Sequence, residues 1–68
     1  MFIKKLRNAE HTRRFSIEPT PSGWEVSEEQ DSRVIKRVEY RDWHRVERAR
    51  RSIALAMNQL ENAGWQVE

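Results

Sequence analysis

The apolar positions of this chain change period as the sequence is read. In Arg13–Glu18, Phe15 and Ile17 alternate with Arg14, Ser16 and Glu18, the period-two pattern of a half-buried strand. Trp24–Glu29 alternates again, with Trp24 and Val26 on one side and Glu25, Ser27 and Glu29 on the other. Between them, Pro19–Gly23 reads as a loop, since neither proline can donate to a ladder. Gln30–Ser32 is a polar connection of hairpin length. Arg33–Tyr40 is a third strand, with Val34, Val38 and Tyr40 sharing one side and Ile35, Arg37 and Glu39 the other. Lys36 falls on the apolar side, which predicts a sheet edge there or an alkyl stem laid along the core.

From Asp42 the period becomes about 3.6, and Asp42 itself reads as a helix N-cap. Trp43, Val46, Ala49, Ile53, Ala56, Met57, Leu60 and Ala63 form one stripe. Gly64 suits the left-handed position after a helix, and Trp65 can then cover Leu60 as in a Schellman ending. The order strand, strand, strand, helix predicts an α+β domain over residues 13–65. Its simplest form is a three-stranded antiparallel meander packed against one C-terminal helix (β-β-β-α). Residues 1–12 are expected to be a basic, flexible arm. Residues 66–68 are expected to be a short tail or a strand fragment.

Composition narrows this further. The chain has 68 residues, 35% of them charged and 37% hydrophobic, enough for one small domain. Cysteine is absent, which excludes a disulfide scaffold and a thiolate metal site. The longest apolar run, Ile53–Met57, is far too short for a membrane span, and Met1–Leu6 lacks the apolar stretch of a signal peptide. A cytosolic location is the resulting expectation.

Charge is segregated. Residues 1–14 carry net +4, residues 15–32 net −5, residues 33–51 net +5 and residues 52–68 net −2. In helical projection Arg41, Arg45, Arg48 and Arg51 fall away from the apolar stripe, with Leu55 among them. These five residues are the candidate interaction surface. Glu47 is spaced to pair with Arg50 and Arg51. The outer sheet face, by contrast, mixes Arg14 and Arg37 with Glu18, Glu25, Glu29 and Glu39. That composition favours cross-strand ion pairs over phosphate binding.

Candidate chemistry is sparse. His11 and His44 lie in different segments with no further ligands at chelating spacing, so no metal site is expected. The serines lack a nucleophile setting, and two glycines cannot build a phosphate cradle. No catalytic residue, cofactor or small-molecule substrate is expected. Trp24 and Trp43 are assigned to the core and Trp65 to the helix ending.

Gly23-Trp24-Glu25-Val26 and Tyr40–Glu47 give the chain a resemblance to small uncharacterised bacterial proteins. In those domains of unknown function a Trp-bearing meander leads into one amphipathic helix. The resemblance covers about Arg13–Trp65 and implies a fold without an activity. The layout is also distantly similar to the sheet-plus-helix DNA-binding modules of phage-type integrases, from which the acidic outer sheet face departs. The expected function is a non-enzymatic protein-interaction or oligomerisation module, with self-association through Leu55 as one form. The alternative is a nucleic-acid-binding accessory protein using the arginine face with Lys4, Lys5 and Arg7.

Overall fold

The computed structural model of the chain describes residues 2–68; Met1, the first residue of the expected arm, lies outside them. The described residues form β1 (Phe2–Asn8), β2 (His11–Thr20), β3 (Gly23–Gln30), β4 (Arg33–Tyr40), α1 (Trp43–Asn62) and the two-residue β5 (Gln66–Val67). All neighbouring strands pair antiparallel in one sheet of order β4-β3-β2-β1-β5. The expected class and the C-terminal helix are present, but the sheet has five strands instead of three.

The added strands come from the two ends of the chain. Phe2–Asn8, expected within the arm, is strand β1, held along its length against Ile17–His11. Its docking is anchored by Leu6, which is fully buried. Val67 then stands opposite Leu6 and Gln66 opposite Arg7, so of the two forms expected for residues 66–68, tail or strand fragment, the strand fragment is present and makes the far edge of the sheet.

Two turns also differ from expectation. Strand β2 runs through Pro19, which faces Trp24, and the loop shrinks to Pro21-Ser22. Proline is tolerated because its missing N–H would point towards β1, beyond the Phe2–Ile17 pair that ends the described ladder. The β3–β4 turn is Asp31-Ser32, both with positive φ (52° and 67°), the backbone of a type I′ hairpin. Past that turn the register slips. Glu29 faces Val34 but Glu28 faces Lys36, leaving Ile35 as the extra residue of a bulge. Val34 therefore lies opposite Glu29 and no longer shares a face with Val38.

One face of the sheet packs on α1. Leu6, Phe15, Ile17 and Val26 meet Val46 and Ile53 of the helix in the core. Asp42 caps the helix by accepting from the His44 N–H at 3.0 Å. At the other end, Trp65 N–H donates to the Leu60 carbonyl (2.9 Å) and Gly64 N–H to that of Glu61 (3.1 Å). With Gly64 at φ 104°, this is the expected Schellman ending.

The sheet is wider than the helix that covers it. An α-helix with its side chains is about 10–12 Å across, whereas strands repeat every ~4.8 Å. Five strands cannot all lie beneath one helix. Helix α1 seals the middle of the sheet over Phe15, Ile17 and Val26 and leaves the inner side of β4 at the margin. There Val38 and Tyr40 are half-buried and Lys36 is exposed.

Candidate functional site

The uncovered margin is a cleft. Its floor is Val26 and Val38 from the sheet with Ala49 and Ile53 from α1, and its volume is about 380 Å³. Lys36 lines it from β4 with Glu28 opposite on β3, Arg45 and Arg48 line it from α1, and Tyr40 closes one end. Arg45 also borders a second, shallower depression shared with Glu39, Tyr40, Arg41 and Asp42.

The helix phase explains which expected residues converge. Arg45 and Arg48 are three positions apart and flank the buried stripe on its β4 side. Arg41 precedes the N-cap and stands at the mouth. Arg51 and Leu55 lie farther round the helix and outside the cleft, with Leu55 64% exposed. The candidate surface thus divides: Arg45 and Arg48 join Lys36 and Tyr40, Arg41 is peripheral, and Arg51 and Leu55 point elsewhere. Lys36 and Tyr40 were missed as site residues. The one sequence signal for them was a lysine on the apolar side of its strand.

Electrostatics distinguish the cleft from the paired part of the outer sheet face. On the outer sheet face, Arg14 and Arg37 are paired across strands. Arg14 donates to Glu29 at 2.6 Å, and Arg37 lies 3.5 Å from Glu25. Arg7 donates to Glu68 at 2.6 Å, and on the inner face Arg13 draws Glu28 to 3.8 Å. Among the described residues, by contrast, none of Lys36, Arg41, Arg45, Arg48 and Arg51 has a carboxylate within ion-pair distance. Glu47 does not form the expected pairs with Arg50 and Arg51. Its carboxylate accepts from Trp43 Nε1 at 3.0 Å, while Arg50 lies over the Phe2 ring.

The histidines stay apart. His11 Nδ1 lies 3.1 Å from Asp31, whose other oxygen accepts from the Thr12 N–H at 2.9 Å. That backbone bond first, and His11 second, hold Asp31 below the usual carboxylate range. His44 is on the exposed first turn of α1. Among the described residues no three His, Asp or Glu side chains gather where they could hold a metal ion.

The tryptophans form a second, aromatic notch on the other flank of α1. Trp24 and Trp43 meet at a tilt of 56° with 5.2 Å between ring centroids, with Phe2, Ile17 and Pro19 nearby. Trp43 sits at the edge of the apolar stripe and is 45% exposed, less buried than a core assignment implies.

No described helix is long and apolar enough to cross a membrane. No protein-family model, curated protein or solved structure matches the chain.

Proposed function

We propose that this chain is a non-enzymatic protein-interaction module that holds an acidic segment of another polypeptide in the cleft between α1 and β4. The observation that carries this reading is the contrast in charge pairing. Arg7, Arg14 and Arg37 on the outer face each have a carboxylate partner, whereas Lys36, Arg45 and Arg48 line one cleft against a single acid, Glu28, which is within ion-pair distance of none of them. Cations left uncompensated beside an apolar floor favour a ligand that brings both carboxylates and carbon surface.

A nucleic-acid ligand is the second reading, favoured by the line of Arg41, Arg45, Arg48 and Arg51. Single-strand binders pair such a groove with successive aromatic platforms for the bases. This cleft offers one, Tyr40, half-buried at its end. Val26, Val38, Ala49 and Ile53 suit aliphatic side chains better than sugars and phosphates.

Fluorescence anisotropy separates the two readings. A labelled octapeptide of alternating Glu and Thr, a single-stranded oligonucleotide and a short duplex are titrated at about 50 mM and about 200 mM salt. The proposal expects the peptide to bind more tightly than either nucleic acid at the higher salt. It also expects Arg45→Glu with Arg48→Glu to abolish peptide binding while leaving the circular dichroism spectrum unchanged. Tighter binding of either nucleic acid at the higher salt overturns it, as does peptide binding that survives the double charge reversal.

A further inference from the structure

The cleft's outer wall is also a free sheet edge. Strand β4 is outermost, and among the described residues nothing pairs with its far side. The opposite edge is capped by β5 on Leu6 and Arg7, and Glu68 N–H donates to the Lys5 carbonyl at 2.9 Å. That leaves β4 as the long open edge. We infer that the acidic segment enters as a sixth strand hydrogen-bonded along β4, an inference that rests on the cleft reading above.

Three features support this. The first is backbone polarity. Along an antiparallel strand, backbone groups point alternately to one neighbour and the other. Counted from the Gln30–Arg33 pair that closes the two-residue turn, the N–H and C=O groups of Arg37 and Glu39 point away from β3. They make a template for a further strand. The bulge at Ile35 twists the start of β4, so the straight stretch is Lys36–Tyr40.

The second is side-chain phase. Lys36 and Tyr40 reach the cleft from alternate positions of that same stretch, with Val38 between them in phase. Directly opposed residues on an adjacent strand have Cβ atoms about 4.5–5.5 Å apart. Alternate side chains of an added strand would therefore fall beside Lys36, Val38 and Tyr40, next to Arg45 and Arg48. The cleft's three cations outnumber its one acid, Glu28, so acids at every second position fit them. Acids in one block would place half of them on the outer face, where Glu39 already stands opposite Glu25.

The third is the sign of the edge. β4 carries Arg33, Lys36 and Arg37 against Glu39, net +2. Pairing with a second copy of β4 would set +2 on +2 and bring two sets of Arg45 and Arg48 together. The chain's own acidic strand, β3, cannot serve as the partner because it lies between β2 and β4. Charge thus bars self-pairing at this edge and admits a strand of opposite sign.

Four octapeptides, each with four Glu and four Thr, test the inference by isothermal titration with the intact chain. One alternates Glu and Thr, and one has its Glu in a block. Two are alternating peptides N-methylated at every Glu or at every Thr. N-methylation removes a donor without changing charge. In an added strand only one alternate set of N–H groups faces β4. We expect the alternating peptide to bind more tightly than the block isomer. One N-methylated peptide should lose affinity by about tenfold or more, while the other stays close to the parent. Equal effects of the two methylation sets overturn strand addition but leave the cleft reading standing if the parent binds. Failure of all four peptides to bind overturns the cleft reading itself.

Discussion

Ser16 and Ser27 provide a sharp test of how the uncovered face of the sheet is held. They stand opposite each other in the β2–β3 ladder, on the face turned away from α1. Their hydroxyl oxygens are 2.6 Å apart. They are only 3% and 8% exposed, although no element covers that face. The row beside them is the Arg14–Glu29 ion pair, and Ile3 and Arg37 flank them within their own row. Truncating one serine leaves the other hydroxyl buried without its partner, at a cost of about 1–2 kcal/mol. Truncating both removes donor and acceptor together, which leaves the double variant within about 0.5 kcal/mol of the parent. For a domain of this size each kcal/mol moves Tm by about 4–8 °C. Thermal and urea unfolding of the parent, Ser16→Ala, Ser27→Ala and the double variant, followed by circular dichroism, complete a double-mutant cycle. We expect both single variants to melt below the double. A double variant destabilised by the sum of the singles would show that the hydroxyls are not coupled, and the reasoning would fail.

Leu6→Ala is expected to cost about 2–5 kcal/mol, the range for a fully buried leucine, whereas Ile3→Ala, at a 41% exposed position, should cost much less; chemical denaturation of both measures the difference. Ala9 holds φ 55° in the β1–β2 turn, so Ala9→Gly should raise stability by about 0.5–1 kcal/mol, seen as a higher urea midpoint at unchanged slope. Asp31 has a pKa lowered from 3.8 by the Thr12 N–H and then by His11. Its contribution is therefore complete above the unfolded value and lost as pH falls through the folded one. The stability gap between the parent and Asp31→Asn should narrow as pH drops below about 4, and a gap independent of pH would contradict the assignment.

The interior of the fold was readable because its patterns are local. Phe15 and Ile17, Trp24 and Val26, and the Asp42 and Gly64 helix ends each announce themselves within a few residues. The first strand does not. Its inward positions are Phe2, Lys4, Leu6 and Asn8, of which two are polar, while Ile3 faces outward. Without the partner strand that supplies its ladder, such a segment looks like an arm. The bulge at Ile35 is equally silent, because one extra residue alters register and not composition. The cleft was half legible. Helical phase grouped Arg45 and Arg48 with Arg41, Arg51 and Leu55 on the side away from the stripe, but Arg45 and Arg48 meet Lys36 and Tyr40 only because α1 covers the middle of the sheet and stops short of β4. That is a matter of relative widths, which no periodicity encodes.

The order of the strands has a kinetic consequence. From β4 to β1 each strand lies beside its neighbour in sequence, so three hairpins can form by short-range closure, each on a timescale of about 1–10 μs. Only the β1–β5 pairing joins distant parts of the chain, Leu6 to Val67. Its register depends on α1 having first settled on the sheet, since the helix carries Gln66 and Val67 into place. Folding should therefore proceed as a zipper of nearest neighbours closed by one late clasp, and the clasp lies on the side of the sheet opposite the open edge of β4.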